Sequence, residues 1–139
     1  METMQTQLNE IVEDFELFDD ELEKYEYIVD LGKHLTPLQE DEKTDAYLIQ
    51  GCTSQVWIIP SFVDGKMVFR GDSNTVIVKG LVAILIKIFS NRTPKEILNF
   101  DLKELNNLGL AEIVTPTRQN GFTSIVNKLI EYTKGKAND

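Results

Sequence analysis

Apolar residues in the first third of the chain recur at helical intervals. Leu8, Ile11, Val12, Phe15 and Phe18 fall on one face, which predicts a first amphipathic helix. Asp20 with Glu23 three residues later has the form of a helix cap. Leu22, Tyr25, Ile28, Val29 and Leu35 form the apolar stripe of a second helix behind it. Gly32 and Thr36-Pro37 are expected to close that helix, and residues 36–47 read as an irregular acidic loop. The period then shortens. Val56-Trp57-Ile58-Ile59 and Lys66-Met67-Val68-Phe69-Arg70 are strand-like and flank Asp64-Gly65, a dipeptide that favours a tight hairpin turn. Tyr47-Leu48-Ile49 is either a further strand or an extended lead-in to the segment after it, and Pro60 fits an edge position or a bulge.

Residues 75–89 carry two opposed signals. Their β-branched content favours a strand, whereas fifteen residues without a turn favour a buried helix. Lys79 and Lys87, eight apart, share one helical face, so the segment is assigned as helix. Gly80 in its middle then requires a close neighbour. Thr93-Pro94-Lys95-Glu96 opens a short helix with a cap, a proline in the first turn and a glutamate at the third position. Asp101 to Asn107 continues as a further short helical turn. Phe122, Ile125, Val126, Leu129 and Ile130 line a C-terminal helix that starts at Thr115-Pro116, unless Asn120-Gly121 delays it, and that frays from Gly135 onward. The sum is an α+β fold, a small antiparallel sheet of about three strands packed with helices, in one domain over residues 1–139.

Composition narrows the functional classes. With 42% hydrophobic residues the chain can bury a core without staples. The net charge of −9 is uneven: residues 1–45 hold 15 Asp/Glu against 3 Lys/Arg, and residues 46–139 hold 8 against 11. The acidic half reads as a solvated helical face in preference to a docking surface. No basic stripe marks a nucleic-acid or anionic-membrane surface. The start, Met1-Glu2-Thr3-Met4-Gln5, has neither a basic flank nor an apolar run, and the longest apolar stretch, Val76 to Phe89, is shorter than the roughly 20 residues of a membrane span. A cytoplasmic location is expected.

Cys52 is the only cysteine, in Gln50-Gly51-Cys52-Thr53-Ser54-Gln55. It cannot close an internal disulfide, and one Cys with one His cannot furnish the usual ligands of a structural zinc or an iron–sulfur cluster. A thiol enzyme needs a base, and His34, the sole histidine, sits at a helix end with nothing to mark it as the partner of Cys52. Gly71-Asp72-Ser73-Asn74 is no phosphate loop; it reads as a strand-end turn whose Asp or Ser caps the following helix. Trp57 reads as core. Exchange at sulfur remains, because a thiolate attacking another protein's sulfur needs exposure and a mobile backbone, which Gly51 supplies, but no histidine. Composition and spacing alone leave carrier cysteine and buried packing cysteine both open.

Four segments in consistent order then carry a resemblance. Ile49-Gln50-Gly51-Cys52-Thr53-Ser54-Gln55-Val56-Trp57, Gly71-Asp72-Ser73, Ile77-Val78-Lys79-Gly80-Leu81 and Thr115-Pro116-Thr117-Arg118-Gln119-Asn120-Gly121 together resemble the SufE family of sulfur acceptors and its CsdE-type relatives, over about residues 20–130. The resemblance implies a fold similar to U-type iron–sulfur scaffolds, with the reactive cysteine on a loop. It also implies a protein that is not itself an enzyme. Such a protein takes persulfide sulfur from a cysteine desulfurase onto Cys52, stimulates that partner and passes sulfur towards an iron–sulfur scaffold. The pyridoxal phosphate belongs to the desulfurase, so no resident cofactor or metal is expected. Gln50, Gly51, Thr53, Ser54, Asp72, Ser73 and Arg118 are the implied supporting residues. Thr117 stands where the family pattern has serine, and Asn74-Thr75 where it has Asp-Ala, which removes one carboxylate from that turn.

Overall fold

Two helices, a β-hairpin and three further helices follow one another in the computed structural model, which describes residues 3–137. Helix α1, Met4–Glu16, buries Leu8, Ile11 and Phe15, the predicted face. Helix α2, Glu21–Lys33, starts as its cap predicts: the Asp20 carboxylate accepts the Glu23 N–H at 2.8 Å. The predicted stripe of α2 is only partly right. Ile28 is fully buried, but Leu22 is 65% exposed and Tyr25 lies at the surface. Gly32 does not close the helix, which runs on to Lys33 with His34 as its cap.

Gly32 instead permits contact between helices. Helix α3, Val76–Phe89, is the assigned helix at 75–89, and it is the central element, with Ile77, Leu81, Val82, Ile84, Leu85, Ile88 and Phe89 all buried. A Cβ on Gly80 would overlap the backbone oxygen of Ile28, and a Cβ on Gly32 would lie 2.7 Å from the Gly80 nitrogen. The two glycines therefore let α2 and α3 touch backbone to backbone, which is the close neighbour that Gly80 required. Burial on nearly every side explains why α3 tolerates so many β-branched residues: packing overrides a propensity of tenths of a kcal/mol per residue, about 0.7 at most.

Strands β1, Val56–Val63, and β2, Lys66–Ser73, pair antiparallel from Val56↔Ser73 to Val63↔Lys66. Asp64 and Gly65 both have positive φ, 53° and 80°, as a two-residue primed turn requires. The third strand is reduced to one bridge, Leu48↔Trp57, flanked by Ile49 N–H to Val56 O and Ile58 N–H to Tyr47 O. The chain then turns away into the cysteine segment, so Tyr47-Leu48-Ile49 is a lead-in. Val56 and Ile58 enter the main core, while Trp57 and Ile59 pack with Leu38 under the acidic loop, so β1 is buried on both faces. The far edge of β2 is occupied too, by the Met67↔Arg92 bridge and by the Phe69 N–H donated to Ser90 Oγ.

Helix α4, Pro94–Asn99, opens on the predicted capping box between Thr93 and Glu96. A 3₁₀ segment, Leu102–Leu108, follows with Asp101 as its cap. Helix α5, Pro116–Ala137, starts at the earlier of the two candidate points and runs straight through Asn120-Gly121. Phe122, Ile125, Val126 and Leu129 form its inner face. Gly135–Ala137 remain helical, and the last two residues of the expected frayed tail lie outside the described residues. Among the described residues no helix is long and apolar enough to cross a membrane.

Candidate functional site

Residues 50–55 form a loop pinched at its base by the Ile49 N–H to Val56 O bond of 2.8 Å. Gly51 begins it with φ +90°, a conformation that side chains rarely adopt, and a Cβ there would lie 2.6 Å from Ser124 Oγ. Both facts restrict the position to glycine. Cys52 follows, half-buried, with its Sγ pointing at the Gly121 carbonyl at 3.6 Å. A Cβ on Gly121 would sit 3.6 Å from that sulfur, an ordinary van der Waals contact, so the sulfur packs against the α5 backbone at this position.

The rest of the loop is clasped by side chains. Arg118 Nη1 donates to Ser54 Oγ at 2.6 Å, and Thr75 Oγ1 donates to the same oxygen at 2.8 Å. Ser124 Oγ reaches the Gly51 carbonyl at 3.4 Å. Arg118, Gly121 and Ser124 are spaced by three along α5 and so share one face. That face holds the loop at Ser54, Cys52 and Gly51 in turn. From the other side Gln55 is fastened three times: its N–H to Asn74 Oδ1 at 3.1 Å, its amide oxygen from Asn74 Nδ2 at 3.2 Å, and its carbonyl from Ser73 Oγ at 2.8 Å. Asn74 and Thr75 thus bond directly to the cysteine loop.

Asp72 plays a different part from the helix cap expected of it. Thr75 is the N-terminal cap of α3 and makes no side-chain capping bond. The Asp72 carboxylate is buried instead beneath the acidic loop, accepting the Leu38 N–H at 3.1 Å and the Ser73 N–H at 2.8 Å. Lys79 Nζ lies 3.3 Å and Lys43 Nζ 3.7 Å from it. Burial by itself would raise its pKa, but the two backbone donors and the Lys79 ammonium outweigh that and hold the carboxyl below its ordinary value. Asp72 therefore supports the site at one remove, by orienting Ser73.

The crevice around Cys52 is lined by Thr53, Ser54, Val78, Thr117, Arg118 and Phe122 and has a volume of about 10 Å³. That is roughly the space of one water. Burial pushes the Cys52 thiol above its ordinary pKa, so the resting sulfur is protonated at neutral pH in spite of the nearby guanidinium. Gln50 and Thr53 are exposed, Thr53 at the rim of the crevice. His34 is exposed at the end of α2, its Nδ1 2.9 Å from the Asp30 carbonyl, and it does not line the crevice. The structure brings together Cys52, Gly51, Ser54, Ser73 and Arg118, and leaves His34 apart. Gly121, Ser124 and Thr75 are additions. Their one sequence signal was a glycine inside a helix, a mark of close approach.

Comparisons with known proteins bear on the family and the fold of this chain. A family model described as "SufE: Fe-S metabolism associated domain" matches residues 9–133. An uncharacterized SufE-like protein of Synechocystis is 41% identical over 123 residues, covering 88% of this chain and 77% of that protein. An uncharacterized SufE-like protein of Rhizobium meliloti is 34% identical over 136 residues, 94% of this chain and 97% of that one. A counterpart of Rhizobium etli is 37% identical, covering 94% and 91%. In three dimensions the chain is similar to the solution structure of a hypothetical protein from Thermus thermophilus, with a TM-score of 0.78 over 96% of this chain and 97% of that one. At 16% identity that match speaks for the fold alone.

Proposed function

Because this chain belongs to the SufE family, whose domain is associated with Fe-S metabolism, we propose that it is a sulfur acceptor working on a partner's persulfide. The carrying observation is the site itself: a lone thiol on a clasped loop, beside a crevice of about 10 Å³. Small-molecule enzymes use pockets of about 300–1,000 Å³, so a crevice this small favours a substrate presented from outside, such as a sulfur atom carried by another protein. That partner is a cysteine desulfurase, and the pyridoxal phosphate that cleaves free cysteine belongs to it.

The transfer balances without an oxidant. Released from its clasp, Cys52 loses its proton to solvent. The thiolate attacks the terminal sulfur of the desulfurase persulfide. A new S–S bond forms at Cys52 as the old one breaks, and the departing desulfurase thiolate takes up a proton. The sulfur then passes to an iron–sulfur scaffold, and emptying the desulfurase stimulates its turnover. Gly51 supplies the backbone freedom, and refolding of the clasp covers a sulfur that would otherwise oxidise. A reducing compartment such as the cytoplasm suits this chemistry.

The test is mass spectrometry after incubation with a desulfurase and cysteine. Cys52 should gain one sulfur atom, removable by a thiol reductant. Cys52→Ser should gain none, yet still bind the desulfurase. Undiminished stimulation by Cys52→Ser would refute the acceptor role, and the lack of any mass gain in the parent would mark Cys52 as a packing residue. His34→Ala should accept sulfur normally, since the exposed ring is held by the Asp30 carbonyl. Loss of activity there would point to a thiol enzyme.

A further inference from the structure

We infer that an apolar groove beside the Cys52 crevice docks an uncharged, apolar segment of the desulfurase that presents the persulfide. The inference rests on the sulfur-acceptor reading and names the surface that holds that partner. The groove has a volume of about 480 Å³. Its walls include Leu102 and Leu105 of the 3₁₀ segment, Leu110 at the start of a second 3₁₀ turn, Leu110–Glu112, and Phe122 and Val126 on α5. Phe122 also lines the crevice around Cys52, so the two hollows share a wall.

The chemistry of the groove selects its occupant. None of its lining residues is charged, although charged residues make up 27% of the chain. Two of its polar side chains are turned to their own segment: Gln119 Nε2 donates to the Val114 carbonyl at 3.2 Å, and Thr123 Oγ1 to the Gln119 carbonyl at 3.2 Å. Leu105, Leu110, Phe122 and Val126 are buried in the core, which fixes the walls, whereas Leu102 is 38% exposed. A charged side chain entering the groove would lose water without gaining a counter-ion. An aliphatic or aromatic one meets apolar walls.

Two observations favour the desulfurase as the protein that covers it. A specific protein contact covers roughly 800 Å² per partner. The Cys52 crevice, at about 10 Å³, offers a small part of that, so the surface around it has to supply the rest. On the β2–α3 side that surface is polar, and Ser73, Asn74 and Thr75 spend their side chains on the cysteine loop. The groove is apolar and adjoins the crevice on the α5 side. The second observation concerns release. Val78 and Phe122, 6% and 8% exposed at rest, line the crevice and are opened to water when Cys52 leaves it. A segment seated against Phe122 covers that ring again. It therefore binds the released loop more tightly than the clasped one and shifts the population towards release.

The test is isothermal titration of the full chain with the cysteine desulfurase, beside the mass measurement of sulfur on Cys52. Thr123 is exposed, lines the groove and makes no bond to the cysteine loop, so a charge of either sign can be placed there. Thr123→Glu and Thr123→Lys should each weaken binding about tenfold, a small share of the cost of fully burying an unpaired charge because the groove is partly open. Leu102→Ala, a truncation of a part-exposed wall, should weaken it about fivefold. All three should keep the parent circular dichroism and the parent rate of Cys52 alkylation. Unchanged or tighter binding in either Thr123 variant would overturn the inference; a tighter glutamate form would point to a basic occupant, a tighter lysine form to an acidic one. Parent dimers that dissociate in both Thr123 variants would also overturn it, by giving the groove to a second copy. A parent that gains sulfur, with an affinity indifferent to these substitutions, sinks the groove alone. One that binds, loses affinity on substitution and gains no sulfur sinks the acceptor reading alone. One that neither binds nor gains sulfur sinks both.

Discussion

Ser54→Ala isolates the clasp from the chemistry of the sulfur. Ser54 Oγ is the common acceptor for the Arg118 guanidinium at 2.6 Å and the Thr75 hydroxyl at 2.8 Å, so removing one atom cancels both bonds between the loop and its two neighbours. A hydrogen bond to a charged group contributes about 1.5–3 kcal/mol when sheltered. Here the oxygen is half-buried, and water can take over part of the solvation of Arg118, so about 1–2 kcal/mol is the expected loss. That loss raises the population of the released loop about 5–30-fold. Cys52 is the only thiol, so whole-protein mass spectrometry reads its alkylation by iodoacetamide without peptide mapping. Ser54→Ala should be labelled faster by that factor under native conditions, with its circular dichroism unchanged. A pH series separates release from ionisation: faster release raises the rate at every pH, whereas a lower thiol pKa moves the midpoint and leaves the plateau alone. Labelling at the parent rate across the pH range, in a folded variant, would show that the bonds to Ser54 do not restrain Cys52.

Three further outcomes follow from the same geometry. Asp72→Asn leaves Lys79 and Lys43 without their shared anion, and should cost about 2–3 kcal/mol in denaturant unfolding, less than the roughly 3–5 kcal/mol of a fully buried broken pair because both ammonium groups keep some water. The Asp72 carboxyl is held below its ordinary pKa, so its contribution is complete above the unfolded value near 3.9 and is lost as pH falls through the folded value. An unchanged unfolding midpoint would refute the ionic role. Gly80→Ala should destabilise by about 3 kcal/mol despite a gain of about 1 kcal/mol in helix propensity, because the new methyl meets the Ile28 backbone and not a side chain that can turn away. A more stable variant would mean that α2 and α3 separate without penalty. Burial raises the Cys52 pKa, so the folded thiol holds its proton more tightly than the unfolded one. Its contribution is intact below the unfolded pKa of about 8.5 and is lost as pH rises through the folded value. The stability of the parent relative to Cys52→Ala should therefore fall between pH 7 and pH 10, and a constant difference would contradict the burial.

Local periodicity carried the helices and the hairpin because their signals lie within a few residues of one another. Asp20 and Glu23 place a helix start, Asp64-Gly65 places a turn, and Lys79 with Lys87 resolves α3. The reason behind the last differs from the one the pattern offers. Lys79 is not directed wholly into solvent but reaches back to the buried Asp72, and only Lys87 is exposed. The leucines at 102, 105 and 108 recur every third residue, the period of the 3₁₀ segment that they form, and so mark a tighter helix than the α type. Errors arose where tertiary contact decides a residue's use. Gly32 has the chemistry of a helix terminator, and its neighbourhood supports that reading until α3 is brought against it. Tyr47-Leu48-Ile49 has strand composition, but the departing cysteine loop leaves it one bridge to make.

The candidate site divides along the same line. Its candidate sulfur was legible because a single cysteine after a glycine has few uses, although composition and spacing alone left carrier and packing roles both open and only the family motifs favoured the carrier. Its restraint was not, because the bonds that hold the loop join residues 64 positions apart for Arg118 and Ser54, and 73 apart for Ser124 and Gly51. No window of periodicity spans such distances. Those long separations also make the site a product of the fold. Helix α5 is placed by Phe122, Ile125 and Leu129 in the core, so the groups that cover Cys52 are set by packing on the other side of the same helix. Polar substitution at Ile125, fully buried and one residue beyond Ser124, should therefore loosen the cysteine loop as well as the core, while an equally severe change at Trp57, in the separate cluster under the acidic loop, should destabilise the protein with less effect on that clasp. Equal gains in Cys52 labelling per unit of lost stability at the two positions would show that the loop opens only when the whole domain unfolds.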